Sequence, residues 1–317
     1  MDAATSALMA GDTKIGNRVP TAEDLLRMPV HRRRRLARRT VPIVALVVIA
    51  ATVVSFLGNE ALEWSTVGRY LFDQQILDGL GMTVTLAVIS MAVGLVLACI
   101  VAAMRLSGIL IVRGMGAVFV WFFRGVPLLV LLVVTFNIGL LYPNIVVGLP
   151  FYEPLVSLRT SDLISPRVCA VVAFSLYEAA YGSEVVRSSL MSVPTGQREA
   201  GAAIGMTSSK VFRRIVFPQG MRIATPLLAN QFIQMTKNTS IVAYIAVPDL
   251  LYSAQSVYSR TFEIIPLLLV VTIWYLVLVA LLTIAQSYLE RRFGAHERPR
   301  RTNPLRKQKA ISHGSAA

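Results

Sequence analysis

The chain has 317 residues, of which 55% are hydrophobic and 15% charged, with a formal net charge of +14. Soluble domains carry about 25% charged residues, so this composition excludes a water-covered globular protein and requires lipid over much of the surface. The excess of Lys and Arg sits in two tails and in loops between apolar stretches, with no aromatic platforms beside it; that excludes a nucleic-acid groove and fits membrane orientation.

Residues 1–40 form a basic tail that ends in HRRRRLARR at 31–39, a cluster that holds a cytoplasmic end and can touch anionic lipid. Residues 41–57 read as a first membrane helix. The basic stretch before it is too long for the n-region of a signal peptide, so the helix is expected to stay uncleaved. Five more spans are expected at about 79–103, 115–141, 166–190, 223–247 and 264–286. With the N-terminus inside, segments 1–40, 104–113, 184–222 and 287–317 hold 25 Lys and Arg, against four in segments 58–78, 142–167 and 248–263. That positive-inside bias predicts an all-α polytopic bundle of six helices with both termini cytoplasmic. A basic C-terminal tail covers 291–317.

Residues 196–220, GQREAGAAIGMTSSKVFRRIVFPQG, fall in a cytoplasmic loop. Glu199 to Ile204 favours helix, Gly205 can take positive φ and end it, and Thr207 or Ser208 can cap a second helix. Val211, Phe212, Ile215 and Val216 then share one face beside Lys210, Arg213 and Arg214, and Pro218 is expected to stop the helix. Two readings of that apolar stripe are open: it anchors a soluble partner, or it packs on the chain's own spans or the lipid interface.

Inside the spans, charge is costly and marks function. Arg124 precedes Gly125 and Pro127, which can break the third span. Glu178 lies in the fourth span and Lys237 in the fifth. At about 100° per residue, Asn230, Gln231, Gln234, Lys237 and Asn238 fall within an arc of about 120°. These groups either line a solute path, with Arg124 or Lys237 meeting a carboxylate and Glu178 an ammonium, or hold helices together, with Glu178 paired to Arg124 or Lys237. Glu184 and Arg187 are spaced to pair. Cys99 and Cys169 sit in apolar segments, and His31, His296 and His313 in the tails, so neither a metal site nor a catalytic centre is expected. No GxxxxGK[ST] loop is present to cradle nucleotide phosphates.

The loop resembles the EAA motif of ABC importer permeases, with Glu199, Ala200, Gly205, Ile215 and Pro218 at matching places and Gly201 and Phe217 departing from it. RGVPLLVLL at 124–132, AYGSEVVRSSLMSVPTGQREA at 180–200 and NQFIQMTKNTS at 230–240 are similar to segments of the polar amino-acid uptake permeases (the histidine, glutamate, glutamine and arginine types), in a domain spanning about 75–290. Leu131 stands where that family often has Gln. The helix at 41–57 is additional to the minimal plan. The resemblance implies a type I importer permease in the bacterial plasma (inner) membrane that carries polar amino acids inward and performs no catalysis itself. It implies a second permease subunit, identical or related, two ATPase subunits that hold ATP and magnesium, and an extracytoplasmic solute-binding protein. It also implies ATPase coupling through Glu199, Ala200, Gly205, Val211, Phe212, Ile215 and Pro218. An ion-gradient-driven carrier, or an importer of other polar solutes, is the alternative.

Overall fold

The computed structural model describes residues 34–147, 156–160 and 164–293. The tails 1–33 and 294–317, with all three histidines, lie outside the described residues. The chain divides into two units, one ending at Glu60 and one beginning at Ala61. In the first, α1 (Arg34–Leu57) has no acidic residue in its first turn, and its residues 41–57 are exposed along their whole length. A helix that is apolar all round suits lipid.

The second unit is a helical bundle. A short helix α2 (Trp64–Tyr70) leads into α3 (Gln74–Leu106), whose first turn is capped by the Asp73 carboxylate accepting from the Gln75 amide at 2.9 Å. Next come α4 (Leu110–Gly125) and α5 (Leu128–Phe136), whose axes meet at 99°. The expected span at 115–141 is therefore a broken pair. The cause is Pro127: it lacks an N–H and drives the preceding Val126 into extended backbone, φ −88 and ψ 129. A single turn, α6 (Ile138–Leu141), precedes the antiparallel strands β1 (Asn144–Val147) and β2 (Val156–Arg159), which pair from Asn144–Arg159 to Val147–Val156. This short pair is the one addition to the helical plan among the described residues.

α7 (Pro166–Met191) is the central element. It starts with Ser165 as cap and Pro166 in its first turn, where a missing N–H costs nothing. It packs along α3 through small residues: Ser90 meets Ser175, Gly94 meets Glu178 and Ala98 meets Gly182. Small side chains let membrane helices approach until backbone dispersion holds them. A Cβ added at Gly94 would sit 2.6 Å from Cβ of Glu178, closer than carbon atoms tolerate. Gly94→Ala is therefore expected to destabilise the bundle by about 1–3 kcal/mol, read as a lowered unfolding temperature in detergent; an unchanged temperature would mean that α3 and α7 are less closely seated.

α8 (Thr195–Ala203) ends in a Schellman turn: Gly205, at φ +80, donates to the Ala202 carbonyl, and Met206 donates to the Gly201 carbonyl. α9 (Ser208–Val211) starts at Thr207, which occupies the cap position without a side-chain hydrogen bond. It runs through a π turn (Phe212–Val216) straight into α10 (Phe217–Asn238). Pro218 therefore does not stop the helix as expected. The wider turn, closed by the Phe217 amide on the Phe212 carbonyl, leaves room for the ring that would otherwise strike the carbonyl four residues back.

α10 becomes a 3-10 helix (Thr239–Ile245) inside the expected span 223–247. The segment 248–263, expected as an outer loop, forms α11 (Leu250–Thr261), capped by Asp249 on the Tyr252 amide at 2.8 Å. α11 packs on α3 and on the last helix, α12 (Ile264–Phe293), through Ile76, Leu250, Ala254, Val257, Leu267 and Val270. Gly79 admits it: a Cβ there would lie 2.7 Å from the Asp249 carbonyl.

Among the described residues, α3 and residues 264–291 of α12 are by themselves long and apolar enough to cross a membrane, and the α4–α5 pair is so when taken together. Ser90, Gly94 and Ala98 of α3 meet Ser175, Glu178 and Gly182 of α7, so these two helices run the same way. Gly220 and Gln231 of α10 meet Leu190 and Gly182, so α10 runs opposite. The ends at Leu106 and Met191 and the 195–216 loop thus share one end of the bundle.

Candidate solute path and coupling loop

Between α7 and α10 lies a cavity of about 330 Å³, lined by Tyr177, Glu178 and Tyr181 from one helix and Gln231, Gln234, Met235 and Asn238 from the other. The spacings 177–181 and 231–234–238 each put one side of a helix on the cavity. Glu178 is 2% exposed, and its Oε1, like Oε1 of Gln231, has no hydrogen-bond partner. No ion pair joins Glu178 to Arg124 or Lys237; among the described residues, the ion pairs are those of Glu184. The pairing considered from sequence is thus absent. A buried carboxylate with free acceptor capacity, beside amide groups, suits a solute that carries N–H donors.

The structure thus brings together four of the seven expected path residues: Glu178, Gln231, Gln234 and Asn238. Asn230 and Lys237 are exposed and do not line this cavity. Arg124, in the last turn of α4, reaches it indirectly: its guanidinium lies over the Tyr181 ring, 5.0 Å from the centroid. Tyr177 and Tyr181, stacked 4.4 Å apart, were missed from sequence, although the i, i+4 spacing around Glu178 carries the signal. Leu131 is buried in the core with Leu132, Phe174 and Met235 and does not line the cavity.

At the loop end, Glu184 accepts from both Arg105 of α3 and Arg187 of its own helix, making a three-membered clasp where a pair was expected. Arg198 of α8 donates to the Leu190 carbonyl at 3.0 Å and so ties the loop to the last turn of α7. The apolar stripe divides. Val211 and Val216 are buried against Val186, Leu190 and Ala224, with Ile215 packed beside them; these side chains hold the loop and do not offer it. Glu199, Ala200, Gly205, Phe212 and Pro218 are exposed, and so is Ile204, at 78%. Ile204 was not singled out from sequence because it lies off the periodic stripe, at the turn itself. Gly201, the departure from the motif, is buried: a Cβ there would lie 2.9 Å from Cδ1 of Ile215.

The helical bundle thus carries a polar-lined cavity between α7 and α10 and an exposed, tightly turned loop at one end. The chain belongs to the family of binding-protein-dependent transport system inner membrane components, whose model matches residues 94–295. It is 40% identical over 252 residues to the arginine transport system permease protein of Corynebacterium glutamicum, covering 79% of this chain and 78% of that one. It is 35% identical to the L-cystine transport system permease protein of Bacillus subtilis, covering 73% and 92%. The crystal structure of an amino acid ABC transporter with histidines is similar in fold, with a TM-score of 0.60 at 26% identity over 69% of this chain and 94% of that one.

Proposed function

We propose that this chain is the multi-pass permease subunit of an ATP-binding-cassette importer that moves polar amino acids into the cell. The observation that carries the reading is the polar cavity between α7 and α10, on the same two helices that lead into the exposed loop. Six spans with both ends cytoplasmic fit the charge bias, the shared direction of α3 and α7 and the opposite direction of α10. Asn230 and Lys237 project where lipid would be a poor neighbour. A second permease subunit, identical or related, covers them and completes the path, while Glu178, Gln231, Gln234 and Asn238 meet the solute. Glu199, Ala200, Gly205, Phe212 and Pro218 dock into an ATPase subunit, with Val211 and Ile215 supporting them from behind. Two such ATPases hold the ATP and magnesium. This chain needs no cofactor, and an extracytoplasmic binding protein delivers the solute.

The test is co-purification with the ATPase and binding protein of the host, followed by ATPase measurement in liposomes against twenty amino acids. Stimulation by a subset of them supports the reading. Assembly without stimulation by any amino acid leaves an importer of another polar solute, and no associated ATPase at all favours an ion-gradient carrier.

A further inference from the structure

The α7 and α10 directions give the cavity two ends. Tyr181 and Gln231 stand at the end nearer the 195–216 loop, and Tyr177 and Asn238 at the far end. Tyr181 touches two groups: the Arg124 guanidinium lies over its ring, 5.0 Å from the centroid, and the Tyr177 ring lies 4.4 Å away, tilted by 32°. Among the described residues no carboxylate lies within ion-pair distance of Arg124. The aromatic ring is thus the group that receives this cation, and a cation over a tyrosine face is a favourable pair. The guanidinium comes from the last turn of α4, immediately before the 99° break at Pro127. A rotation of α4 against α7 at that break would carry the cation off the ring.

From this we infer that Tyr181 is the inner lid of the solute cavity, and that Arg124 is a positioning residue that latches the lid and does not bind the solute carboxylate. Held by its contacts with Arg124 and Tyr177, the ring closes the cavity toward the loop. When α4 shifts, the ring is released and the solute leaves on that side. The inference rests on the transport reading above and concerns how its site is gated.

The test uses the complete complex in proteoliposomes loaded with a labelled amino acid. Tyr181→Ala and Arg124→Gln are expected to raise the leak without ATP about tenfold. Tyr181→Phe keeps the ring and Arg124→Lys keeps a cation, so both hold the leak near the parent value. The apparent KM for ATP-driven uptake stays within about twofold in Arg124→Gln, because the latch does not touch solute. A raised KM with unchanged leak in that variant assigns Arg124 to solute binding and overturns the lid. A second measurement does not depend on transport. With Cys99→Ala, Cys169→Ala and Asn238→Cys in place, a membrane-impermeant maleimide applied from the loop side labels the Tyr181→Ala variant about tenfold faster than its Tyr181 parent if the ring closes that end. Equal rates overturn the lid. A parent complex that moves no amino acid overturns the amino-acid substrate reading, while the labelling rates still decide the lid.

Discussion

Gly205→Pro is expected to abolish solute-stimulated ATP hydrolysis and transport while the chain still inserts and assembles. Gly205 sits at φ +80 and donates to the Ala202 carbonyl. Proline can do neither, since its ring holds φ near −65° and it has no N–H, at a cost of about 3 kcal/mol or more in such a place. The damage stays local, because α8 is exposed apart from Gly201 and is tied to the bundle by Gly201 and Arg198. Losing the turn re-aims the exposed Glu199, Ala200 and Ile204 without opening the core around Phe174 or Leu267. Glu199→Lys tests the same surface by charge: it leaves the turn intact and reverses the one acidic side chain in α8. Both variants are to be compared with the parent for membrane yield, co-purification of the ATPase, and ATPase stimulation. Loss of membrane yield in Gly205→Pro would make the loop a folding element and remove its coupling role.

The second large effect is expected at Glu178. Glu178→Gln preserves shape and burial but replaces a charged acceptor with a neutral amide. A hydrogen bond to a charged group contributes about 1.5–3 kcal/mol, so the apparent KM for solute is expected to rise about 10- to 100-fold, with the maximal rate changing less. Removing an unpaired buried charge also relieves desolvation, so the variant should be no less stable than the parent. That combination separates solute contact from structural glue. If Glu178 only held helices together, the unfolding temperature would fall and KM would not move. Gln231→Leu serves as the neighbouring probe, since its Oε1 shares the cavity with Glu178.

Much of this was legible in the residues themselves. The apolar stretches required lipid over helices. Gly205 was expected to end α8 with positive φ, and does. Three of the five members of the polar arc on the fifth span line the cavity, because helical periodicity is a local property that neighbours need not supply. Errors arose where a local signal met a tertiary answer. Pro218 reads as a helix stop in isolation, yet a π turn absorbs it. Residues 248–263 read as a loop because they are polar, yet α11 forms because Asp249 caps it and the bundle gives it a face. The stripe at Val211, Ile215 and Val216 reads equally as an offered anchor or a packed face, and burial against Val186, Leu190 and Ala224 selects the second.

By itself the sequence determined that this is a helical membrane protein and where its glycine turn falls, since each depends on composition or on residues a few positions apart. Only the tertiary structure decided which polar groups meet. Glu178 and Gln231 are 53 positions apart in the chain, and they share a cavity because Gly94, Ala98 and Gly182 let three helices close on one another. Whether a given Arg or Lys pairs with a carboxylate, a ring or nothing depends on that approach, and no pattern along one helix encodes it.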